Sequence, residues 1–405
     1  MKSNAMNTRM SMLAVVAAMV LAGCQQPPAT LQADPVKARV DAQVTLRTAL
    51  DSPHWTTRAR AIEALSQVEG AAAGRMYAQA LADPEPGVRF AAAVAIGDAA
   101  YEPAKARLTE MAGRDPVKGE NDRRVYAGVL YALWRMGEPS AAYDLATLLG
   151  DPEWAVRDSA ALVLGKVKLA NNKPLLNLLQ MQLAFEPQSE VKMRLLESLA
   201  QLGDPRSRDM LLTYTQTSEF AGQDLQAINA LGKVGGPAAL RKLGELTEND
   251  WPAYTRLAAV AALADQGAFD DGAYRYATLA ITNTSTVVAE NRTNKNVVPE
   301  EADAARYLAV LALGRMNRVE AVDTMLPSLR SESGPLRVAA AMSILRLLPP
   351  VTAVMETAQA MEEADVDDAA AAQPSDVDMS EAAPADDVAP AKVQRPKLST
   401  ADAKD

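Results

Sequence analysis

One histidine and one cysteine stand in 405 residues, and aromatic side chains make up only 4% of the chain. With His54 alone, histidine-based triads and metal sites with several imidazole ligands are excluded. A single thiol, Cys24, cannot close an intramolecular disulfide. No Walker, nucleophile-elbow or zinc-binding spacing occurs. The glycines of "LGKVGG" (231–236) have no strand before them and read as a helix end. β-Branched runs are scarce, which argues against a large sheet. Positive charge is in deficit too, with 41 basic residues against 51 acidic ones and a formal charge of −10. Phosphate backbones need a basic face, so no nucleic-acid partner is expected. Carboxylates are plentiful, and composition leaves a paired-carboxylate hydrolase open, but no spacing brings two of them together.

The apolar stretch Met12–Gly23 has twelve residues, against the roughly 20 that a membrane-spanning helix needs. Lys2 and Arg9 precede it without an acidic residue, which is the layout of a secretory signal peptide. It ends in Leu21-Ala22-Gly23-Cys24, which resembles the lipobox of bacterial lipoproteins. That resemblance implies that Cys24 is the lipidated first residue of the mature chain, carrying a diacylglycerol and an N-linked acyl chain. Several acyl chains anchor firmly where one binds only marginally. Gln25 stands where an Asp would mark inner-membrane retention in enteric bacteria. The expected location is therefore the cell envelope, on the outer membrane facing the periplasm.

Alanine and leucine are abundant, and both favour helix. Residues 83–100 ("DPEPGVRFAAAVAIGDAA") and 151–168 ("DPEWAVRDSAALVLGKVK") share one pattern: Asp-Pro, Val-Arg, then Ala, an aliphatic and Gly. With Val88 and Val156 as anchors, the register recurs at Thr57, Val125, Val191, Gln223, Thr255, Ala305 and Leu336. Small or aliphatic residues stand four positions after each anchor, and aliphatic ones eight after, so each anchor opens an amphipathic helix. A shorter helical run, such as "GPAALRKLGEL" (236–246), follows each anchor helix across a Gly or Pro break. A helical hairpin of this kind buries its apolar face only by stacking on its neighbours, and the result is an all-α solenoid of about nine hairpins.

The repeat resembles the short, phycobilisome-lyase-type variety of HEAT repeats, most closely at 83–97 and 151–165. Arg58, Arg89, Arg157, Arg256, Arg306 and Arg337 each stand next to an anchor. Asp83 and Asp151 precede Arg89 and Arg157 by six residues. An Asp–Arg ladder between hairpins is familiar in this family and is expected to set register rather than to bind a ligand. Leu164 is expected in the core. Trp55 and Trp154 share a phase and are read as hairpin packing. The family's second helix lines the concave side, which by resemblance places Lys105, Tyr143, Lys173 and Arg241 near a partner surface. The 50-residue interval between Thr255 and Ala305 exceeds its neighbours and includes the polar stretch 281–301, with Asn291. An insertion of this kind is either a candidate binding loop or a tolerated surface loop, since long insertions cost little.

The domain boundaries expected are a signal peptide at 1–23, a linker at 24–34, the solenoid at 35–363 and an acidic tail at 364–405. Residues 35–50 are read as a cap on the first repeat, and 351–363 as the second helix of the ninth hairpin. The tail holds ten acidic and four basic residues, a composition expected to stay disordered. The functional expectation is a membrane-anchored, non-enzymatic scaffold without cofactor, binding an envelope protein or peptide. The alternative is an enzyme or enzyme-associated subunit, since some proteins with these repeats are bilin lyases. The repeat-built DNA glycosylases are opposed by the acidic charge and the export signal.

Overall fold

Proline and acidic or amide caps start most of the helices. Asp34 Oδ1 accepts from the backbone N–H groups of Val36 and Lys37 at 2.8 and 3.2 Å, with Pro35 in the first turn. Asp122, Asn172, Asp204 and Asp270 act in the same way at four later starts. The structure, a computed structural model, describes residues 30–113, 122–167, 172–215, 222–290, 292–293, 295–348 and 350. The chain divides into two compact units, Met1–Pro350 and Val351–Asp405, and the second lies outside the described residues. So do Cys24 and the signal segment.

Among the described residues the first unit is all helical. The anchor helices are α2 (Trp55–Val68), α4 (Pro86–Ala99), α6 (Arg123–Arg135), α8 (Trp154–Gly165) and α10 (Ser189–Gln201), then α12 (Gln223–Val234), α14 (Ala253–Asp265), α17 (Pro299–Leu313) and α19 (Gly334–Leu347). Interleaved with them are α1 (Pro35–Ala49), α3 (Gly74–Ala80), α5 (Lys105–Gly113), α7 (Pro139–Thr147), α9 (Lys173–Phe185) and α11 (Pro205–Tyr214), then α13 (Pro237–Glu245), α15 (Asp271–Thr282), α16 (Thr284–Ala289) and α18 (Ala321–Met325). All nine anchors, and all nine residues four and eight positions after them, are buried. The repeat register read from the sequence holds throughout.

The hairpins pair differently from the expectation. Each anchor helix packs most consistently on the shorter helix before it, so the shorter helix is the first of each pair. Nine hairpins are complete by Leu347 without residues 351–363. The helix at 35–49 is the first member of hairpin one rather than an added cap.

Each anchor helix packs against the next, and the last, α19, packs against both α2 and α1. The solenoid closes into a ring. Gln32 and Ala33 donate backbone N–H bonds to Asp323 at 2.8 and 2.9 Å across the seam. Arg39 donates to the Leu348 carbonyl, and Arg346 to the Gln67 side chain. At Gly334 a Cβ would stand 2.4 Å from Thr57 Oγ1, so first and last anchor helices meet backbone to side chain. In a closed ring of touching helices the touching layer is the inner one, because radial spread separates the outer helices. Small residues allow the approach: a Cβ on Gly97 would lie 2.9 Å from the Ala132 Cα, and one on Gly165 2.5 Å from Ser198 Oγ.

The 281–301 stretch is not the simple polar loop expected. Residues 284–289 form α16, and Val287 and Val288 are buried in a core shared with Leu257 of α14 and Ala309 of α17. The apolar triplet Val287-Val288-Ala289, hidden among Asn and Thr, seats this segment against the ring.

Candidate functional site: the polar end of the ring

The inner helices run parallel, so their C-terminal ends gather on one side of the ring. Ten positions after the nine anchors, in each last turn or just beyond it, stand Gln67, Asp98, Arg135, Lys166, Gln201, Lys233, Asp265, Arg315 and Arg346. Every one is polar, with five cations against two carboxylates, in a chain whose net charge is −10. Cations suit helix C-termini, where unpaired carbonyls carry partial negative charge.

A cavity of about 710 Å³ opens between five of these ends, lined by Asp98, Arg135, Lys166, Gln201 and Lys233 together with Arg208 from α11. Asp98 accepts from Tyr131 Oη at 2.6 Å and pairs with Lys166 at 2.7 Å, reaching past α6 to do so. Among the described residues Arg135 meets only the Tyr131 hydroxyl, at 3.2 Å, and the face of that ring. Burial and the Asp98 carboxylate push the Tyr131 hydroxyl well above its ordinary pKa, so it stays a neutral donor. Arg208 has no side-chain partner among the described residues, and its Nε is buried without a hydrogen bond.

Deeper in the lumen lies a charge network. Glu197 accepts from Arg194 at 2.7 Å, Lys233 at 2.5 Å and Gln201 at 3.2 Å. Arg194 also reaches Asp158 at 3.3 Å. Burial alone would raise the Glu197 pKa, but Lys233 and Arg194 overcome it and hold the group below the ordinary carboxylate value. Glu63 on α2 has no such contacts among the described residues. Its side chain is exposed to solvent yet has protein around it, and this partial desolvation raises its pKa against the pull of Arg60, Lys166, Arg194 and Lys233. Beside it Arg60 donates to Tyr307 Oη at 2.7 Å.

The arginines next to the anchors have structural work. Arg58 forms a bidentate pair with Asp83 at 2.8 Å, and Arg157 one with Glu186 at 2.8 and 2.6 Å. Arg58, Arg89, Arg157 and Arg337 each donate to the carbonyls five and six residues back, tying down the loop that enters their own helix. Asp151 pairs with Arg123 at 3.0 Å rather than with an anchor arginine. Leu164 is buried in the main core.

The four residues placed near the concave side by resemblance lie elsewhere. Lys105, Tyr143, Lys173 and Arg241 belong to α5, α7, α9 and α13, the outer layer. Tyr143 is 77% exposed there, and Lys105 pairs with Glu138 at 2.9 Å. They fall outside the lumen because the anchor helix is the second of each pair. Asn291 lies outside the described residues. The polar set ten positions after the anchors was missed, although the same register contains it.

The sequence profile described as HEAT repeats matches residues 44–120 and 172–264. The chain has a HEAT-like repeat fold. Comparison with curated proteins gives no match. Human deoxyhypusine hydroxylase in complex with glycerol is similar at 18% identity over 70% of this chain and 98% of that one, with a TM-score of 0.33. An engineered protein is similar at 15% identity over 77% and 94%, with a TM-score of 0.28. Both superpositions are too loose to bear on function. Among the described residues no group of three or more His, Cys, Asp or Glu side chains is placed to hold a metal ion. No described helix is long and apolar enough to cross a membrane.

Proposed function

We propose that the protein is a lipid-anchored, non-enzymatic scaffold of a bacterial cell envelope, held at the outer membrane through Cys24. Its ring presents the polar end face to a protein or peptide partner. The observation that carries this reading is the unbroken run of nine polar residues around one end, five of them enclosing the 710 Å³ cavity. Helix-end electrostatics suits the five cations, but not the two carboxylates and two glutamines that complete the run. The test is a crosslinking pull-down of the intact lipoprotein from its own envelope, beside a Lys233→Glu, Arg315→Glu variant. The partner should be lost from the variant; equal capture by both would overturn the reading.

A second reading, an enzyme or enzyme-associated subunit, draws on Glu63. A solvent-touching carboxylate with a raised pKa and no partner is the kind of group that acts as an acid or base. Its test is turnover of a partner or ligand that the wild type supports and Glu63→Gln does not.

A further inference from the structure

The end-face cavity has more positive charge than its own structure uses. Lys166 and Lys233 are paired, with Asp98 and Glu197. Arg135 and Arg208 have no carboxylate partner among the described residues. Helix-end electrostatics accounts for Arg135, which closes α6. It does not account for Arg208, which stands in the first turn of α11, where the helix dipole repels a cation. Asp204, which caps the same helix, is engaged otherwise: it accepts from the Ser207 N–H at 2.9 Å, the Ser207 hydroxyl at 2.6 Å and Gln180 at 3.0 Å. A guanidinium with a buried, unbonded Nε at an unfavourable helix end keeps that position at a cost. An anion in the cavity would pair with the guanidinium and balance its charge.

We infer that the cavity between Arg135, Lys166, Arg208 and Lys233 binds an acidic segment of a protein, recognised through its carboxylates. This rests on the reading of the end face as the docking surface. The layout of the site, cations spread along successive helix ends, favours a segment over a small metabolite. Its walls come from five successive inner helices, and at roughly 8–10 Å per helix spacing the arc spans about 30–40 Å. An extended peptide at about 3.3 Å per residue covers that with on the order of ten residues. A carboxylate at every second residue would fall on one side of the strand and meet the cations in turn. Bidentate pairing by Arg135 and Arg208 gives the carboxylate its orientation, and the lysines add charge without shape.

The test is fluorescence-polarisation binding of a labelled decapeptide of alternating Glu and Gly to the full chain. The Gln-Gly decapeptide and a ten-nucleotide oligothymidylate serve as comparisons. The Glu peptide should bind saturably and the Gln peptide at least tenfold more weakly. Affinity should fall as salt rises from low to physiological ionic strength. Arg208→Ala and Arg135→Ala should each weaken it tenfold or more, and Arg75→Ala on the outer helix α3 should not. Because the Arg208 side chain has no hydrogen bond or ion pair to lose among the described residues, Arg208→Ala should keep at least the wild-type melting midpoint, which separates lost binding from lost folding. No saturable binding, undiminished binding by Arg208→Ala, or tighter binding of the oligonucleotide would overturn the inference. If the Glu peptide fails while Lys233→Glu, Arg315→Glu still abolishes partner capture, the docking face stands and its acidic specificity falls. If capture also survives, both fall.

Discussion

Leu46→Ala tests the closure of the ring. Leu46 is fully buried, on the stripe Ala38, Ala42, Leu46, Ala49 by which α1 packs against α19 and α2. Truncation removes three buried carbons worth roughly 0.8 kcal/mol each, about 2.5 kcal/mol. The cavity left behind adds about 1 kcal/mol or more, for a total of ~3–4 kcal/mol, inside the range seen for buried leucines. The location of the damage matters more than its size. In an open solenoid each repeat touches only its neighbours, so a lesion in the first helix would loosen residues 35–68 and leave the far end untouched. In the closed ring α19 loses its partner as well. Hydrogen exchange followed by mass spectrometry should therefore show faster exchange in 334–347 as well as in 35–68, with 154–165 little changed. Protection of 334–347 at the wild-type level would refute the closure.

Leu164→Ala should cost about 2–5 kcal/mol in denaturant unfolding, the range for emptying a core leucine site. Cys24→Ser should abolish incorporation of a fatty-acid probe; equal labelling of both proteins would dismiss the lipid anchor. Replacing 281–301 with a Gly-Ser linker should lower the melting midpoint, because Val287 and Val288 leave the core; an unchanged midpoint would show that α16 adds nothing. Glu63→Gln should raise the midpoint at neutral pH. A carboxylate whose folded pKa lies above its unfolded value favours folding less as pH rises between the two. The gain should vanish at a pH below the ordinary Glu value, and a gain that persisted there would refute the assignment.

The sequence carried the repeat because burial acts locally. The residues at the anchors and at offsets four and eight see the same neighbours in every copy, so one periodic pattern serves all nine. Closure was not legible, since it depends on the sum of small rotations between hairpins, and no single residue type encodes that sum. The order within each hairpin was ambiguous for a simpler reason. Gly or Pro stands on both sides of the short helices, as at 137–139 and 150–152 around α7, and punctuation alone does not say which break is the hairpin turn. The α16 helix was missed because three apolar residues are too few to show a period. Half of the site was in view: Arg135, Lys166 and Lys233 occupy one phase, and extending the register by two residues beyond the last core position reveals it. Arg208 was out of reach, because it belongs to the other helix of its hairpin.

The two ends of the ring use arginine for opposite purposes. At the N-terminal ends of the inner helices the anchor arginines are consumed: Arg58 by Asp83, Arg157 by Glu186, Arg256 by Glu290 at 2.6 Å. Each pair joins one hairpin to the loop of the next, so these charges hold register and leave nothing for a ligand. At the C-terminal ends acid partners are fewer than cations, and one of the two carboxylates there, Asp265, is taken by Arg315 at 3.0 Å. Arg346 sits close enough to Arg315 that burial and their mutual repulsion lower its pKa. Like charges crowded at one end of an acidic protein are unfavourable for folding. A ring needs its register fixed at one end only, which leaves the other free to carry uncompensated charge that a partner can complete.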